Sequence, residues 1–107
     1  MKQLEELRNV LKEELKKIGR DDYFEDIAKE WLESKKKKIK KSTYFNYEYK
    51  IYKDLMPTFK KCKVKKLKRF NYEEFVEILQ EKYENKTIRD ILNVLKAILK
   101  YANNKYN

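Results

Sequence analysis

The side chains that could do chemistry in this sequence are cations and amides set in lines along predicted helices. Within residues 86–102, KTIRDILNVLKAILKYA, four polar side chains recur at spacings of 4, 3 and 4: Arg89, Asn93, Lys96 and Lys100. Side chains three or four residues apart lie one above the other on a helix, so these form one polar strip. None of them is acidic. The strip therefore suits binding to a polyanion.

A second line of this kind follows a lysine-rich run. The run KKKKIKK at residues 35–41 leads directly into Ser42 and Thr43, which we predict to cap a helix. A lysine run alone is usually a solvated linker, but a helix N-terminus offers free N–H groups and the positive end of the helix dipole, which favour a phosphate. On the helix that begins there, the predicted outward line is Asn46, Lys50 and Lys53.

The element that must position the first strip is a long apolar helix capped by Thr87. Its predicted buried face consists of eight residues at helical spacing: Ile88, Ile91, Leu92, Val94, Leu95, Ile98, Leu99 and Ala102. Because so wide a face must be covered from several sides, we expect this helix to be central.

Three further helices are predicted from residue 21 onward. The second helix of the chain covers residues 22–35 and is capped by Asp21 or Asp22. The third runs from the Ser-Thr pair to about Met56, where Pro57 stops it. In that third helix we expect Phe45 and Tyr52 to widen the core face. A fourth helix opens at Asn71, with Glu74 three residues later as in a capping box. The second and fourth helices are acidic and the third and last are basic, so the charges are sorted onto different faces.

Residues 2–18 form a first amphipathic helix, which we place in a separate segment (residues 1–20) from the helical domain (residues 21–107). Its narrow apolar seam consists of five residues: Leu4, Leu7, Leu11, Leu15 and Ile18. Gly19 is predicted to end it as a left-handed cap residue. The seam could pack within the domain, pair with another chain, or belong to a projecting lever.

Residues 60–69, KKCKVKKLKR, are predicted to be a loop or short turn anchored by Val64 and Leu67. Their charge could be a second contact to a polyanion or only a solvated surface.

Composition limits the class of protein. The chain has 107 residues, 28 Lys and Arg against 18 Asp and Glu, and a net charge of +10, with one Gly and one Pro. This predicts one all-α domain with a polyanionic partner, most often nucleic acid and sometimes an anionic membrane or ribosome surface, unless the charge only aids solubility.

The absence of some residue types argues against catalysis. The chain has no His, the usual general base and metal ligand, and we find no Gly-rich phosphate loop or nucleophile elbow. We therefore expect no catalytic residues, no metal and no cofactor. Cys62 is the single cysteine, and the chain has neither a signal peptide nor an apolar run of the ~20 residues a membrane span needs. These features predict a cytoplasmic protein with no membrane partner.

Several motifs follow one another in an order that resembles a known family. They are Phe24…Trp31-Leu32, IKKSTYFNYE at 39–48, Leu55-x-Pro57-x-Phe59, Val64…Leu67 and TIRDILNVLKAILKYA at 87–102. Over roughly residues 22–104 the chain resembles the N-terminal core-binding (SAM-like) domain of phage and conjugative-element integrases, which are tyrosine recombinases. The resemblance implies a compact four-helix bundle, here preceded by one extra N-terminal amphipathic helix. Such a bundle forms half of a C-shaped clamp around core-site DNA.

The resemblance also implies which parts meet DNA and which are missing. In the family, the helices that correspond to those starting at Ser42 and Thr87 lie toward the major groove. A Gly often follows the family's Pro, whereas this chain has Lys60 and Lys61 there. Strand cleavage in the family needs a Tyr nucleophile with Arg, Lys and His from a following domain. We therefore expect this chain to be a fragment of a recombinase or a standalone relic, with double-stranded DNA and that catalytic domain as partners.

The predicted DNA contacts fall into two groups. Backbone contacts are expected from Lys38, Lys40, Lys41, Ser42, Thr43, Lys50 and Lys86, with Thr87 at the start of the second DNA-facing helix. Base-edge contacts are expected from Asn46, Arg89, Asn93 and Lys96, whose side chains can bridge or fork onto groove atoms. The alternatives are a protein-interaction module that self-associates or binds a partner through the seam of residues 4–18, and an RNA-binding protein.

Overall fold

A long helix with a continuous apolar face organises the protein, which we describe from a computed structural model of residues 2–19 and 21–106. The helix is α6 (Asn85–Tyr106), and its eight predicted core residues are each 4% exposed or less. The other elements, in chain order, are α1 (Lys2–Lys17), α2 (Phe24–Lys35), α3 (Lys41–Lys50), a π segment (Ile51–Leu55), α4 (Met56–Phe59), a 3-10 helix (Val64–Arg69) and α5 (Tyr72–Gln80). Because α1, α2, α3, the π segment and α5 all pack against α6, the prediction of a central helix is confirmed.

Helix α1 packs on the rest of the protein. Its five seam residues are all buried, and the helix contacts α6 and the 3-10 helix. Two hydrogen-bonded contacts reinforce the docking: the Tyr72 hydroxyl donates to the Leu4 carbonyl, and the Asn103 amide donates to Glu14. The left-handed cap predicted at Gly19 is wrong, because α1 ends at Lys17 and Gly19 does not have a positive φ.

Residues 41–59 form one continuous helical stretch that changes its hydrogen-bond pattern in the middle. In the π segment the N–H of Met56 bonds to the carbonyl of Ile51, five residues back. The prediction that Pro57 stops the helix is wrong. Pro57 lies directly after the π segment, and the helical stretch continues through it to Phe59. Proline disrupts the interior of a regular α-helix, whereas the wider π turn before Pro57 already departs from that pattern.

The start of α5 agrees with the predicted cap, and the start of α2 does not. The Asn71 side chain accepts from the N–H of Glu74 at 3.0 Å, so the cap predicted for α5 is confirmed. Helix α2 instead begins after Tyr23, whose side chain makes no capping hydrogen bond, so neither Asp21 nor Asp22 is the cap. The chain there pairs as an extended segment with Lys63 in an antiparallel bridge, and this pairing fixes where α2 begins.

Aromatic rings fill the end of the core beneath α4. Phe59 lies 5.4 Å from Phe24 and 5.2 Å from both Phe70 and Phe75, measured between ring centroids. Val64 and Leu67 are buried as predicted, although their segment is a 3-10 helix. The radius of gyration is 13.2 Å, close to the value of about 13 Å expected for a folded domain of 100 residues. The all-α class is confirmed, with the 3-10 helix added to the predicted bundle.

No helix in the described part of the chain is both long enough and apolar enough to cross a membrane.

Candidate nucleic-acid interface

The start of α3 has a lysine-rich end without a side-chain cap. Lys40 is the N-cap residue, in an extended conformation, and its side chain makes no capping hydrogen bond. Ser42 and Thr43 lie one and two residues inside the helix, so the predicted Ser-Thr cap is wrong. The helix begins earlier because the Lys40 carbonyl already accepts from the Tyr44 N–H at 2.9 Å. The lysines near this end are exposed: Lys38, Lys40 and Lys41.

The predicted outward line of Asn46, Lys50 and Lys53 runs from α3 into the π segment, and its members have different surroundings. Lys50 donates from its ammonium to the side-chain oxygen of Asn46, one turn earlier. Lys53 lies 5.1 Å from the ring centroid of Tyr49 and 5.7 Å from that of Tyr83, and its ammonium donates to the Tyr49 hydroxyl at 2.8 Å. Hydrogen bonds with the Tyr49 and Tyr83 hydroxyls raise the pKa of Lys53, which keeps this group charged.

The strip on α6 lies beside α1. Arg89, Asn93 and Lys96 are half-buried and line a groove together with Glu6, Leu7 and Val10 of α1. Docking of α1 thus covers one flank of the strip and leaves the other flank facing α3.

Helix α6 begins before the residue predicted to cap it. The Glu84 carbonyl accepts from the Ile88 N–H at 3.1 Å, so Thr87 lies inside the helix and its predicted capping role is wrong. The hydrogen-bond ladder therefore begins at Glu84, three residues before the predicted cap. Lys86 is exposed and Thr87 is half-buried in this first turn.

A cleft of about 260 Å³ joins the two helices and holds site residues from both. Its polar lining consists of Asn46 and Lys50 from α3 with Asp90 and Asn93 from α6, and we call it the α3–α6 cleft. Trp31 and Tyr47, whose ring centroids are 5.2 Å apart, form part of its apolar lining, together with Val94 and Ala97. Of the predicted site residues, the structure brings Asn46, Lys50 and Asn93 together here. The exposed lysines at the start of α3 and Lys86 are not among the residues that line it.

Two features of this region were missed in the sequence. Asp90 lies next to Arg89 and three residues before Asn93, so its phase on the helix could have placed it at the edge of the strip. The prediction that Phe45 and Tyr52 widen the core face is wrong: they are 57% and 45% exposed and share a shallow hollow with Tyr49. Only the packing of α3 distinguishes its half-buried aromatic residues, Tyr44 and Tyr47, from the exposed ones.

One acidic residue of α2 and one of α5 are paired with basic side chains. Glu25 pairs with Lys29 at 2.9 Å, and that hydrogen bond lowers the pKa of Glu25. Glu73 pairs with Arg8 at 2.8 Å, which likewise lowers the pKa of Glu73. Among the described residues, no group of three or more His, Cys, Asp or Glu side chains is arranged to hold a metal ion.

Comparison with known proteins gives one result. A family model described as phage integrase, N-terminal SAM-like domain, matches residues 23–80, more than half of the chain. The match includes α2 through α5, whereas α1 and α6 lie outside it. No curated protein and no solved structure matches the chain.

Proposed function

The chain belongs to the family of phage integrase N-terminal SAM-like domains, and from this premise we propose that it is a DNA-binding module of a site-specific tyrosine recombinase. In this proposal it grips core-site DNA as one half of a clamp during DNA integration. The matched domain is the N-terminal part of phage integrases and not their catalytic domain. Strand cleavage and rejoining would then belong to a catalytic domain of the same recombinase.

The observation that carries the proposal is the α3–α6 cleft. Two amides and an ammonium group from two different helices meet there: Asn46, Lys50 and Asn93. Amides can donate and accept toward base edges at once, and a lysine attracts the phosphates on either side. A pair of helices that presents such groups at one cleft is suited to the major groove, which is wide enough to admit a helix.

The charge distribution gives a second line of support. Lys38, Lys40 and Lys41 surround the uncapped start of α3, so a positive dipole end and three ammonium groups would attract the same phosphate. Glu25 of α2 and Glu73 of α5 are already paired with Lys29 and Arg8. Backbone contacts are proposed for this end, and base-edge contacts for Asn46, Arg89, Asn93 and Lys96.

The alternative function, protein interaction through α1, requires a surface that is buried within this chain. A protein-interaction module would use the leucine seam of α1, and the seam residues are buried against α6 and the 3-10 helix of the same chain. Use of the seam by a partner would therefore first require α1 to detach.

Salt-dependent binding to duplex DNA tests the proposal. We expect fluorescence anisotropy with a labelled random-sequence duplex to show an affinity that falls linearly on a log–log plot against salt. The variant Lys40→Ala/Lys41→Ala/Arg89→Ala should lower the magnitude of that slope by about 2, since Lys40 and Lys41 each lose a phosphate contact that contributes about 0.9, whereas Arg89 is proposed to contact base edges. Circular dichroism would verify that the variant folds.

A charge-matched control separates a binding surface from general attraction. Lys12→Ala/Lys16→Ala/Lys82→Ala removes the same charge from exposed lysines of α1 and the turn after α5. Equal losses in the two triple variants would mean that only net charge matters, and no binding even at low salt would refute the DNA-binding function.

The two proposed kinds of contact can also be told apart. Once a preferred duplex has been selected, Arg89→Ala should cost about 1–3 kcal/mol on that duplex and less on others. Lys41→Ala should weaken binding to every duplex alike and reduce the salt slope by about 1. The same sequence-independent loss in both variants would contradict the division of roles.

A further inference from the structure

Asp90 is an acidic group at the centre of the surface proposed to meet DNA. It lines the α3–α6 cleft with Asn46, Lys50 and Asn93 and is half-buried there. Among the described residues, its carboxylate makes no hydrogen bond or ion pair. Lys50 contributes the one ammonium group of the cleft lining, and that group donates to Asn46 instead.

A structural role for this carboxylate is not apparent. Asp90 is the sixth residue of α6, beyond the first turn in which an acid gains from the helix dipole. Lys86, one turn earlier, stands in the less favourable order for an ion pair, since an acid N-terminal to its lysine is the better arrangement. Substitution of Asp90 should therefore leave the fold intact, and this makes its function accessible to mutation.

In a DNA-binding cleft, a carboxylate is repelled by phosphates unless it accepts a hydrogen bond from the DNA. The donors that the major groove offers are the exocyclic amino groups of cytosine and adenine. Adenine places its N7 acceptor beside the amino group, which suits an amide better than an acceptor-only carboxylate. Cytosine presents an amino donor without that neighbouring acceptor.

We propose that Asp90 is a specificity-determining residue that accepts a hydrogen bond from the N4 amino group of a cytosine in the major groove. The inference rests on the proposed DNA-binding function and adds a base identity to it. Asn46 and Asn93, on either side of the cleft, would read or position the neighbouring base pairs. The carboxylate lowers affinity for duplexes without a cytosine at that position, and it thereby rejects other sequences.

The test combines a selected duplex with removal of one functional group from each partner. A duplex pool is first selected with the full chain, and the cytosine that Asp90 reads is identified as the position at which Asp90→Ala loses its preference. At that position, 2-pyrimidinone replaces cytosine and so removes the amino group. We expect the wild-type chain to lose about tenfold in affinity, within the range for one well-placed base contact, and Asp90→Ala to bind both duplexes equally.

Matched variants make each outcome decisive. Asp26→Ala removes the same charge from an exposed position on α2 and should keep the cytosine preference. Asp90→Asn should shift the preference at that position toward adenine. If Asp90→Ala raises affinity for all duplexes equally without changing base preference, the carboxylate only repels DNA and the inference is overturned. If the preferred base there is adenine, shown by loss of affinity on its replacement by purine, the assignment to cytosine is wrong.

The experiment distinguishes failure of the proposed DNA-binding function from failure of the inference about Asp90. A wild-type chain that binds no duplex would remove the DNA-binding function together with this inference. A chain that binds duplex DNA with a steep salt slope but without an Asp90-dependent preference would remove the inference alone.

Discussion

Replacing Asn103 by alanine tests whether a buried polar contact holds α1 on the bundle. Asn103 is 5% exposed, and its Nδ2 donates to the backbone carbonyl of Glu14 at 2.9 Å and to Glu14 Oε1 at 3.0 Å. Glu14 is itself 8% exposed. Alanine would leave both Glu14 acceptors buried without this donor.

The expected loss follows from the two hydrogen bonds. A bond to a neutral carbonyl contributes about 0.5–1.5 kcal/mol and one to a charged group about 1.5–3 kcal/mol, which together give about 2–4.5 kcal/mol. Lys17 lies 3.7 Å from the other carboxylate oxygen of Glu14 and offsets part of the loss at the carboxylate. We therefore expect Asn103→Ala to lower the free energy of unfolding by about 2–3 kcal/mol.

Urea unfolding would measure this difference. The single Trp of the chain, Trp31, is buried beside Tyr47, so its fluorescence reports on the bundle while circular dichroism reports on all helices. Asn104→Ala is the control, because Asn104 is the exposed neighbour on the same helix. An effect of Asn103→Ala within about 0.5 kcal/mol of that control, as is typical of surface substitutions, would refute the docking of α1 through this contact.

Three further predictions concern stability. Gly19→Ala should stabilise by about 0.4–1 kcal/mol in urea unfolding, because an added Cβ meets nothing within 4 Å and Gly19 does not have a positive φ. Phe59→Ala should cost about 3–5 kcal/mol in the same assay, since it empties the centre of the aromatic group. Burial raises the pKa of Tyr72 from 10.0 to about 12, so its contribution is full below pH 10 and is lost as the pH rises to about 12. The stability difference between wild type and Tyr72→Phe, followed by urea titrations, should therefore shrink across that interval.

The outcomes that would contradict these predictions are equally direct. Destabilisation by Gly19→Ala would mean that residue 19 needs a conformation closed to alanine. A cost for Phe59→Ala of less than 1 kcal/mol would place the ring outside a packed core. A wild-type to Tyr72→Phe difference that stays constant across the alkaline interval would show that the hydroxyl titrates alike in the folded and unfolded states.

Long apolar periodicities were the part of the fold that the sequence predicted well. Eight positions in α6 and five in α1 are buried as their spacing indicated, because burial of a helix face depends on a pattern repeated over several turns. Helix starts were predicted poorly. Asn71 is a cap, but Thr87 and the Ser42-Thr43 pair lie inside their helices, since a capping side chain is used only where the chain turns, and tertiary contacts decide that position.

The sequence predicted which helices carry the candidate site, but not which of their residues lie close together. The phases of α3 and α6 identified Asn46, Lys50 and Asn93 as outward-facing, and these meet in the α3–α6 cleft. That Arg89 and Lys96 lie beside α1 depends on how that helix docks, which no spacing within α6 can reveal. Whether these side chains contact DNA stays a prediction.

The π segment has a consequence for changes in chain length. Met56 lies five residues after Ile51, a separation that in an uninterrupted α-helix would turn the two side chains about 140° apart. Both are nevertheless buried, because the wider π turn, with its backbone hydrogen bond across five residues, brings Met56 back to the side of Ile51. Deleting one residue within 52–54 would place the Met56 side chain four residues after Ile51, the spacing at which a regular α-helix puts two side chains on one face. Both would stay in the core, and α3 would keep its orientation toward the cleft. A one-residue deletion within α3 itself would instead rotate the residues before it by about 100° and turn its contact residues away. The π segment is therefore the place where related chains could differ by one residue in length while keeping both the core and the contact surface.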